Sequence, residues 1–180
     1  HDQSELIFSI SNRGGVIEKK LCPKLLKRQN TILVYDQNTN QPLPPLARLR
    51  NIGAAHATRS FLLFLDVDLL ISHDALVRTY QKITIKNLPY IAIPVIYLSR
   101  RGSKRAMSAT RQALSWYLGL RNDLVDGIAI NSSLIMISRE KFHHLNGFHD
   151  DYIGHGYEDF DFLLRALDIP ASENILSENL

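Results

Sequence analysis

Cysteine is almost absent from this chain. Cys22 stands alone among 180 residues, so no internal disulfide can form and nothing ties the sequence to an oxidising compartment. With no His or acid partner close by in sequence, Cys22 reads as inert. Long apolar runs are missing too. None approaches the ~20 residues a membrane-spanning helix needs, and no signal peptide is visible. An excess of one charge is also lacking: a net charge of +3 is too small to argue for a nucleic-acid partner. There is no internal repeat and no low-complexity tract. What remains, 45% hydrophobic and 22% charged, is the composition of an ordinary soluble globular protein. The length suits a single domain spanning 1–180, large enough to bury a substantial core. The chain opens on His1 rather than Met, which sets the expectation of a fragment.

Short apolar runs alternate with helical segments. Leu6-Ile7-Phe8-Ser9-Ile10 reads as a strand that ends in the polar turn Ser11-Asn12-Arg13-Gly14-Gly15, followed by a short, irregular helix around Pro23. Thr31 to Tyr35 reads as a second strand with Asp36 at its carboxyl edge, and Asn38 to Pro45 as a loop. Leu46 to Arg59 is expected to be helical and to feed the strand Phe61-Leu62-Leu63-Phe64-Leu65. Ser72 is placed to cap a helix running to about Asn87, with Asp74 in its first turn. Tyr90 to Tyr97 reads as one strand with a bulge or an edge at Pro94. Lys104 to Leu120 is a helix candidate and Leu134 to Ile137 a strand. Ser138 caps a short helix that stops at Asn146-Gly147. This alternation predicts an α/β fold with a mostly parallel central sheet flanked by helices. Ligands bind such sheets at the carboxyl ends of strands. Ser11-Asn12-Arg13, Asp36 and Asp66-Val67-Asp68 all lie at such ends.

Two acidic clusters carry the chemistry. Asp66-Val67-Asp68 follows a wholly apolar strand. If the backbone stays extended, both carboxylates project to the same side and offer two hard oxygen donors to Mg or Mn, which would neutralise a diphosphate. The bland reading is a strand exit with two solvated acids. The second cluster, Glu158-Asp159-Phe160-Asp161, follows Gly154-His155-Gly156-Tyr157. Glycines with interleaved aromatics suit a backbone lining a sugar-sized pocket, and acids at a helix start are favoured by its dipole. A carboxylate there suits a general base; the competing reading is an ordinary capped helix. The two clusters together point to a metal-assisted transferase acting on a nucleotide-activated substrate. Arg100, Arg101, Lys104, Arg105 and Arg111 form a basic stretch that reads either as a solvated helix face or as a surface for an anionic acceptor, nucleotide phosphates or a membrane. Trp116-Tyr117 reads as core packing and His143-His144 as an exposed helix face.

The segments Arg50-Asn51-Ile52-Gly53-Ala54-Ala55 and Phe64-Leu65-Asp66-Val67-Asp68-Leu69-Leu70 resemble the nucleotide-sugar half of GT-A-fold glycosyltransferases. Ser138 to Arg165 resembles the C-terminal galactosyltransferase motif of β-1,4-galactosyltransferases, and still more the bacterial capsule polymerases of the chondroitin and heparosan type. The resemblance covers about residues 46–70 and 127–167. It implies a GT-A fold with a donor-binding half over about 1–100 and an acceptor-binding half over about 101–180. It also implies an inverting, metal-dependent hexosyltransferase that uses a UDP-sugar donor and an oligo- or polysaccharide acceptor in capsule or surface-polysaccharide synthesis. Carried over residue by residue, Asp68 matches the metal-binding acid, with Asp66 contacting the nucleotide or assisting Mn2+ or Mg2+. Arg13, Asp36, Arg50 and Asn51 join the donor-binding set. Asp159 matches the acid proposed as general base, and Glu158, with Gly156, Tyr157 and Asp161, falls on the acceptor side.

The sequence departs from the galactosyltransferase pattern at His155, where that family has Trp, and at Phe160, where it has a third consecutive acid. N-acetylglucosamine as acceptor is therefore not implied. The family's third metal ligand, a later His, falls near or past the end of the chain, and His155 is the substitute candidate. A bacterial cytoplasmic enzyme is the expectation, with peripheral association at the inner membrane as its extension. Two other readings compete. Strand-Asp-x-Asp also opens haloacid-dehalogenase-like phosphatases, although Leu69-Leu70 replaces their small hydroxyl pair. A non-catalytic glycan-binding domain with a degenerate donor site is the other.

Overall fold

A computed structural model describes residues 4–11, 27, 29–36, 45–108, 125–129, 134–152 and 157–168. Arg13, Cys22, Arg111, Trp116, Tyr117 and Gly154 to Gly156 lie outside the described residues, as does the expected helix around Pro23. The chain divides into two compact units, one comprising His1–Leu62 with Ile137–Leu180 and the other Leu63–Met136.

In the first unit, β1 (Leu6–Ser11) and β2 (Thr31–Asp36) pair in parallel, in register from Leu6 opposite Thr31 to Ser11 opposite Asp36. Both strands therefore deliver their last residues to one edge. Helix α1 (Leu46–His56) packs on this pair. It can lie close because the face it buries is small: Ala47 and Ala54 are buried, and a Cβ on Gly53 would come within 2.7 Å of the Ser9 hydroxyl oxygen. The predicted helix was longer, but it ends at His56, and Ala57 is already extended. The exit from α1 is held by Glu5, which accepts hydrogen bonds from the Thr58 amide (2.6 Å), the Thr58 hydroxyl (3.0 Å) and the Arg59 amide (3.1 Å). Burial pushes the Glu5 carboxyl up, but these donors outweigh it and hold its pKa below the ordinary value. Arg139 closes the same corner, donating from its guanidinium to the Ala57 carbonyl and from its amide to that of Ser60.

The second unit carries β3 (Phe61–Leu65) from Leu63 onward, α2 (His73–Ile85), β4 (Tyr90–Ala92), β5 (Val95–Leu98), α3 (Arg100–Ser108), β6 (Val125–Ala129) and the start of β7 (Leu134–Ser138). Helix α2 begins as its sequence predicts: the Ser72 hydroxyl accepts from the Ala75 amide, and Asp74 sits in the first turn. It ends where Asn87 takes a positive φ of 48° and the Leu88 amide reaches back to the Ile83 carbonyl.

The predicted single strand over Tyr90–Tyr97 is two strands. β4 joins a three-stranded sheet of order β3-β7-β4, while β5 forms a separate antiparallel ribbon with β6. Pro94 sits at the break, where a residue without an N–H interrupts the ladder. Helix α3 starts at Arg100, earlier than the predicted Lys104, because the Ser99 hydroxyl accepts from the Gly102 amide. Its predicted continuation to Leu120 lies outside the described residues. The fold is thus mixed α/β, with three small sheets in place of the predicted central one among the described residues. Of the described helices, none is long and apolar enough to cross a membrane.

β7 is buried along Leu134, Ile135, Met136 and Ile137 and passes directly into α4 (Arg139–His144). The Ser138 hydroxyl caps α4 by accepting from the Lys141 amide. His143 and His144 are exposed, as expected. The helix closes with the Gly147 amide donating to the Phe142 carbonyl, and Asn146 and Gly147 both take positive φ, 57° and 69°. The last described helix, α5 (Tyr157–Ala166), stacks Phe162 on Phe148, their ring centroids 4.1 Å apart, with Phe142 tilted against both. Phe142, Phe148 and Phe162 are buried and form the aromatic core beneath the helix that carries the second acidic cluster.

Candidate active site

Helix α5 opens with Glu158 and Asp159 in its first turn, where the helix dipole favours negative charge. Both acids meet Arg50 of α1. Its Nη1 lies 2.6 Å from Asp159 Oδ1 and 3.4 Å from Glu158 Oε1, and the guanidinium rests 5.2 Å from the centroid of the Phe148 ring. The cluster is largely dry, with side-chain exposures of 9% for Arg50, 2% for Glu158 and 13% for Asp159. Asp159 is therefore the more accessible of the two carboxylates, and Glu158 works from inside. A buried Arg–carboxylate contact is shorter and stronger than a neutral one, because charge assists the hydrogen bond.

The neighbouring residue, Asn51, is committed to the loop between α4 and α5. Its amide nitrogen donates to the Phe148 carbonyl (2.8 Å) and to Asp150 Oδ1 (2.7 Å), while its oxygen accepts from the Phe148 amide (2.9 Å). Gly147 permits this approach: a Cβ there would fall 2.6 Å from Asn51 Oδ1 and 3.2 Å from the Phe142 ring, on a backbone already at positive φ. Gly147→Ala should therefore destabilise the protein by about 2 kcal/mol, combining left-handed strain with a clash that displaces the Asn51 amide. Thermal unfolding checks this, and an unchanged melting temperature would show that the loop gives way without loss.

Asp161 faces a different partner. Arg165, one turn on, donates to Asp161 Oδ2 from Nε (2.9 Å) and Nη2 (2.6 Å), and its Nη1 reaches the carbonyls of Leu145 (2.7 Å) and Gly147 (2.9 Å). His149 Nδ1 stands 3.4 Å from the same Asp161 oxygen. Partial burial raises the Tyr152 phenol pKa above its ordinary value; the Asp161 charge adds to this, and Arg165 opposes it. Asp161 therefore bonds within the chain, whereas Tyr157 beside it is 76% exposed.

Asp36, at the end of β2, is buried, with Arg48 Nε 3.1 Å from its Oδ1. Asp66 and Asp68 require a correction. The strand stops at Leu65, and the Leu69 amide turns back to the Asp66 carbonyl at 3.1 Å, so the two acids occupy the first and third positions of a tight turn. The alternation of an extended strand does not apply to them. Asp66 is half-buried and Asp68 exposed. Among the described residues, no group of three or more His, Cys, Asp or Glu side chains is arranged to hold a metal ion. Two carboxylates on an open turn do suit Mg2+ or Mn2+, because such ions bind through one or two carboxylates and complete their shell with substrate phosphates and water. Arg13 and Gly156 lie outside the described residues.

Sequence reading brought forward Asp36, Arg50, Asn51, Glu158 and Asp159 but assigned no partners among them. Arg48 was not among the residues singled out, and Phe148 stood only as one aromatic of the stretch before the second acidic cluster. The Asp161–Arg165 pair was open to detection from its i, i+4 spacing. The Arg50 pairing, across more than a hundred residues, carries no local signal.

These features define a class: a mixed α/β domain with acids at strand ends and a buried arginine–carboxylate cluster at a helix start. The chain matches the family described as Glycosyltransferase like family 2 over residues 20–180, and it belongs to that family. It is thus a glycosyltransferase domain, of the kind that carries a glycosyl group from a nucleotide-sugar donor to a glycan acceptor. No curated protein and no solved structure matches it. Membership of this family leaves the phosphatase reading without support.

Proposed function

We propose that this chain is a GT-A-type, inverting, UDP-sugar-dependent glycosyltransferase that extends a glycan acceptor in bacterial capsule or surface-polysaccharide synthesis. The observation that carries the reading is the ordered pair Glu158 and Asp159, held by Arg50 at the start of α5. Asp159, the more accessible acid, accepts the proton from the acceptor hydroxyl as that oxygen attacks the anomeric carbon. Glu158, buried beside it, keeps the shared arginine in place and the first turn of α5 rigid. A single displacement of this kind inverts the anomeric configuration. Asp66 and Asp68 are the residues that would hold Mn2+ or Mg2+, which would supply charge neutralisation for the UDP leaving group. Asp36 and Ser11, on the shared edge of β1 and β2, belong to the donor side, since ligands of parallel strands sit at their carboxyl ends. The bacterial capsule assignment and a cytoplasmic setting rest on the resemblance to capsule polymerases. Peripheral membrane association is supported by α3, which carries Arg100, Arg101, Lys104 and Arg105 and no acid.

The test is UDP release from a panel of UDP-sugars with an oligosaccharide acceptor, with Mn2+ present or chelated. The expected result is metal-dependent turnover of one donor, reduced about 100-fold or more in Asp68→Ala, since the metal term is worth several kcal/mol. Turnover that survives chelation and Asp68→Ala alike would overturn the metal assignment. Failure to bind or turn over any UDP-sugar would overturn the donor class.

A further inference from the structure

We infer that Arg50 is a positioning residue for the catalytic carboxylate, acting on Asp159 and Glu158 rather than on the donor nucleotide. The inference rests on the reading of Asp159 as general base and adds to it the device that aims that base. The resemblance places Arg50 with the donor ligands, but the geometry sends its side chain elsewhere. Its side chain is 9% exposed, and its guanidinium lies over the Phe148 ring and approaches two consecutive carboxylates through one nitrogen, at 2.6 and 3.4 Å.

Three features make this a positioning arrangement. Successive residues on a helix point about 100° apart, so Glu158 and Asp159 meet one cation only if the first turn of α5 is held in a fixed rotation. The cation is an arginine, whose planar, weakly hydrated head can stack on an aromatic face and pair with carboxylates at the same time; an ammonium is a strongly hydrated point charge. The aromatic floor is itself fixed, because Asn51, the next residue of α1, clamps the backbone of Phe148 through both its amide and its carbonyl. Two neighbouring residues of α1 thus lock the loop and the acids that follow it. A base must lie within hydrogen-bond reach of the proton it takes, and a misplacement of about 1 Å costs on the order of 100-fold in rate.

The experiment compares wild type, Arg50→Gln and Arg50→Lys with the donor and acceptor that the panel identifies, measuring kcat, the KM of each substrate, UDP affinity by calorimetry and thermal unfolding. For Arg50→Gln, kcat should fall about 100-fold, with UDP affinity and donor KM within about twofold of wild type. Arg50→Lys, which keeps the charge but loses the planar head, should recover part of kcat, again without moving UDP affinity. If Arg50→Gln does not fold, Arg50→Lys alone decides through the same split between kcat and donor KM. A loss of UDP affinity or a rise in donor KM matching the loss of kcat/KM would make Arg50 a donor ligand and overturn the inference. An active wild type whose kcat is untouched by Arg50→Gln would overturn it alone. A wild type that turns over no UDP-sugar would overturn the functional reading and the inference together.

Discussion

Asp159→Asn should lower kcat by about 100- to 10,000-fold, the range over which a positioned general base accelerates proton transfer. The substitution keeps the shape of the side chain and an oxygen for Arg50 Nη1, now at 2.6 Å from Oδ1. What it removes is the capacity to accept a proton. Asp159 is only 13% exposed and pairs with Arg50, so losing its charge should cost about 1–2 kcal/mol, tempered by the oxygen that asparagine retains and by Glu158 beside the same arginine. The melting temperature should therefore fall by only a few degrees, and UDP-sugar affinity should be unchanged. Steady-state kinetics with the identified donor, alongside calorimetric binding of UDP, check both halves. Glu158→Gln is the informative contrast. With a side chain 2% exposed against Arg50, Glu158 should report chiefly through stability. If Asp159→Asn retained near-wild-type kcat while Glu158→Gln abolished turnover in a folded protein, the two roles would have to be exchanged.

The elements that local chemistry encodes were legible in the sequence, and those that depend on distant partners were not. Ser72 and Ser138 cap their helices as their positions predict, and Asn146-Gly147 ends α4 through left-handed backbone, because caps and αL stops are settled by a few adjacent residues. The strands at Leu6, Thr31, Phe61 and Leu134 follow from short apolar runs. The run from Tyr90 to Tyr97 looks equally continuous, yet Pro94 divides it between two sheets, and only the partner strands β7 and β6 decide where each half goes.

At the site the same division holds. Asp159 and Glu158 were visible as acids at a helix start. Their shared arginine was not, since a contact between α1 and α5 leaves no periodic trace. The turn at Asp66–Leu69 defeated the extended reading because an aspartate followed by two more residues before Leu69 is as compatible with a turn as with a strand exit.

The largest effect on stability should come from Arg165→Met. One guanidinium satisfies three acceptors: the Asp161 carboxylate through Nε and Nη2, and the carbonyls of Leu145 and Gly147 through Nη1. The two carbonyls lie in the turn that follows α4, where a helix leaves backbone oxygens without intrahelical donors. Arg165 thus joins the end of one helix to the body of the next and stacks over Phe162, 5.5 Å from the ring centroid. Methionine keeps most of the apolar stem but none of the donors. Breaking a fully buried pair of this kind costs about 3–5 kcal/mol. Here the partners are 20% and 19% exposed, so solvent screening reduces the ionic share and about 3 kcal/mol is the expected loss. For a chain of this length that lowers the melting temperature by roughly 6–12 °C. The double variant Arg165→Met with Asp161→Asn separates the contributions. It removes the uncompensated carboxylate, so part of the loss should return, while the share owed to the two carbonyls should persist. A double variant no more stable than Arg165→Met alone would place the whole effect on the carbonyls, and a melting temperature unchanged by Arg165→Met would show that the turn after α4 holds without this arginine.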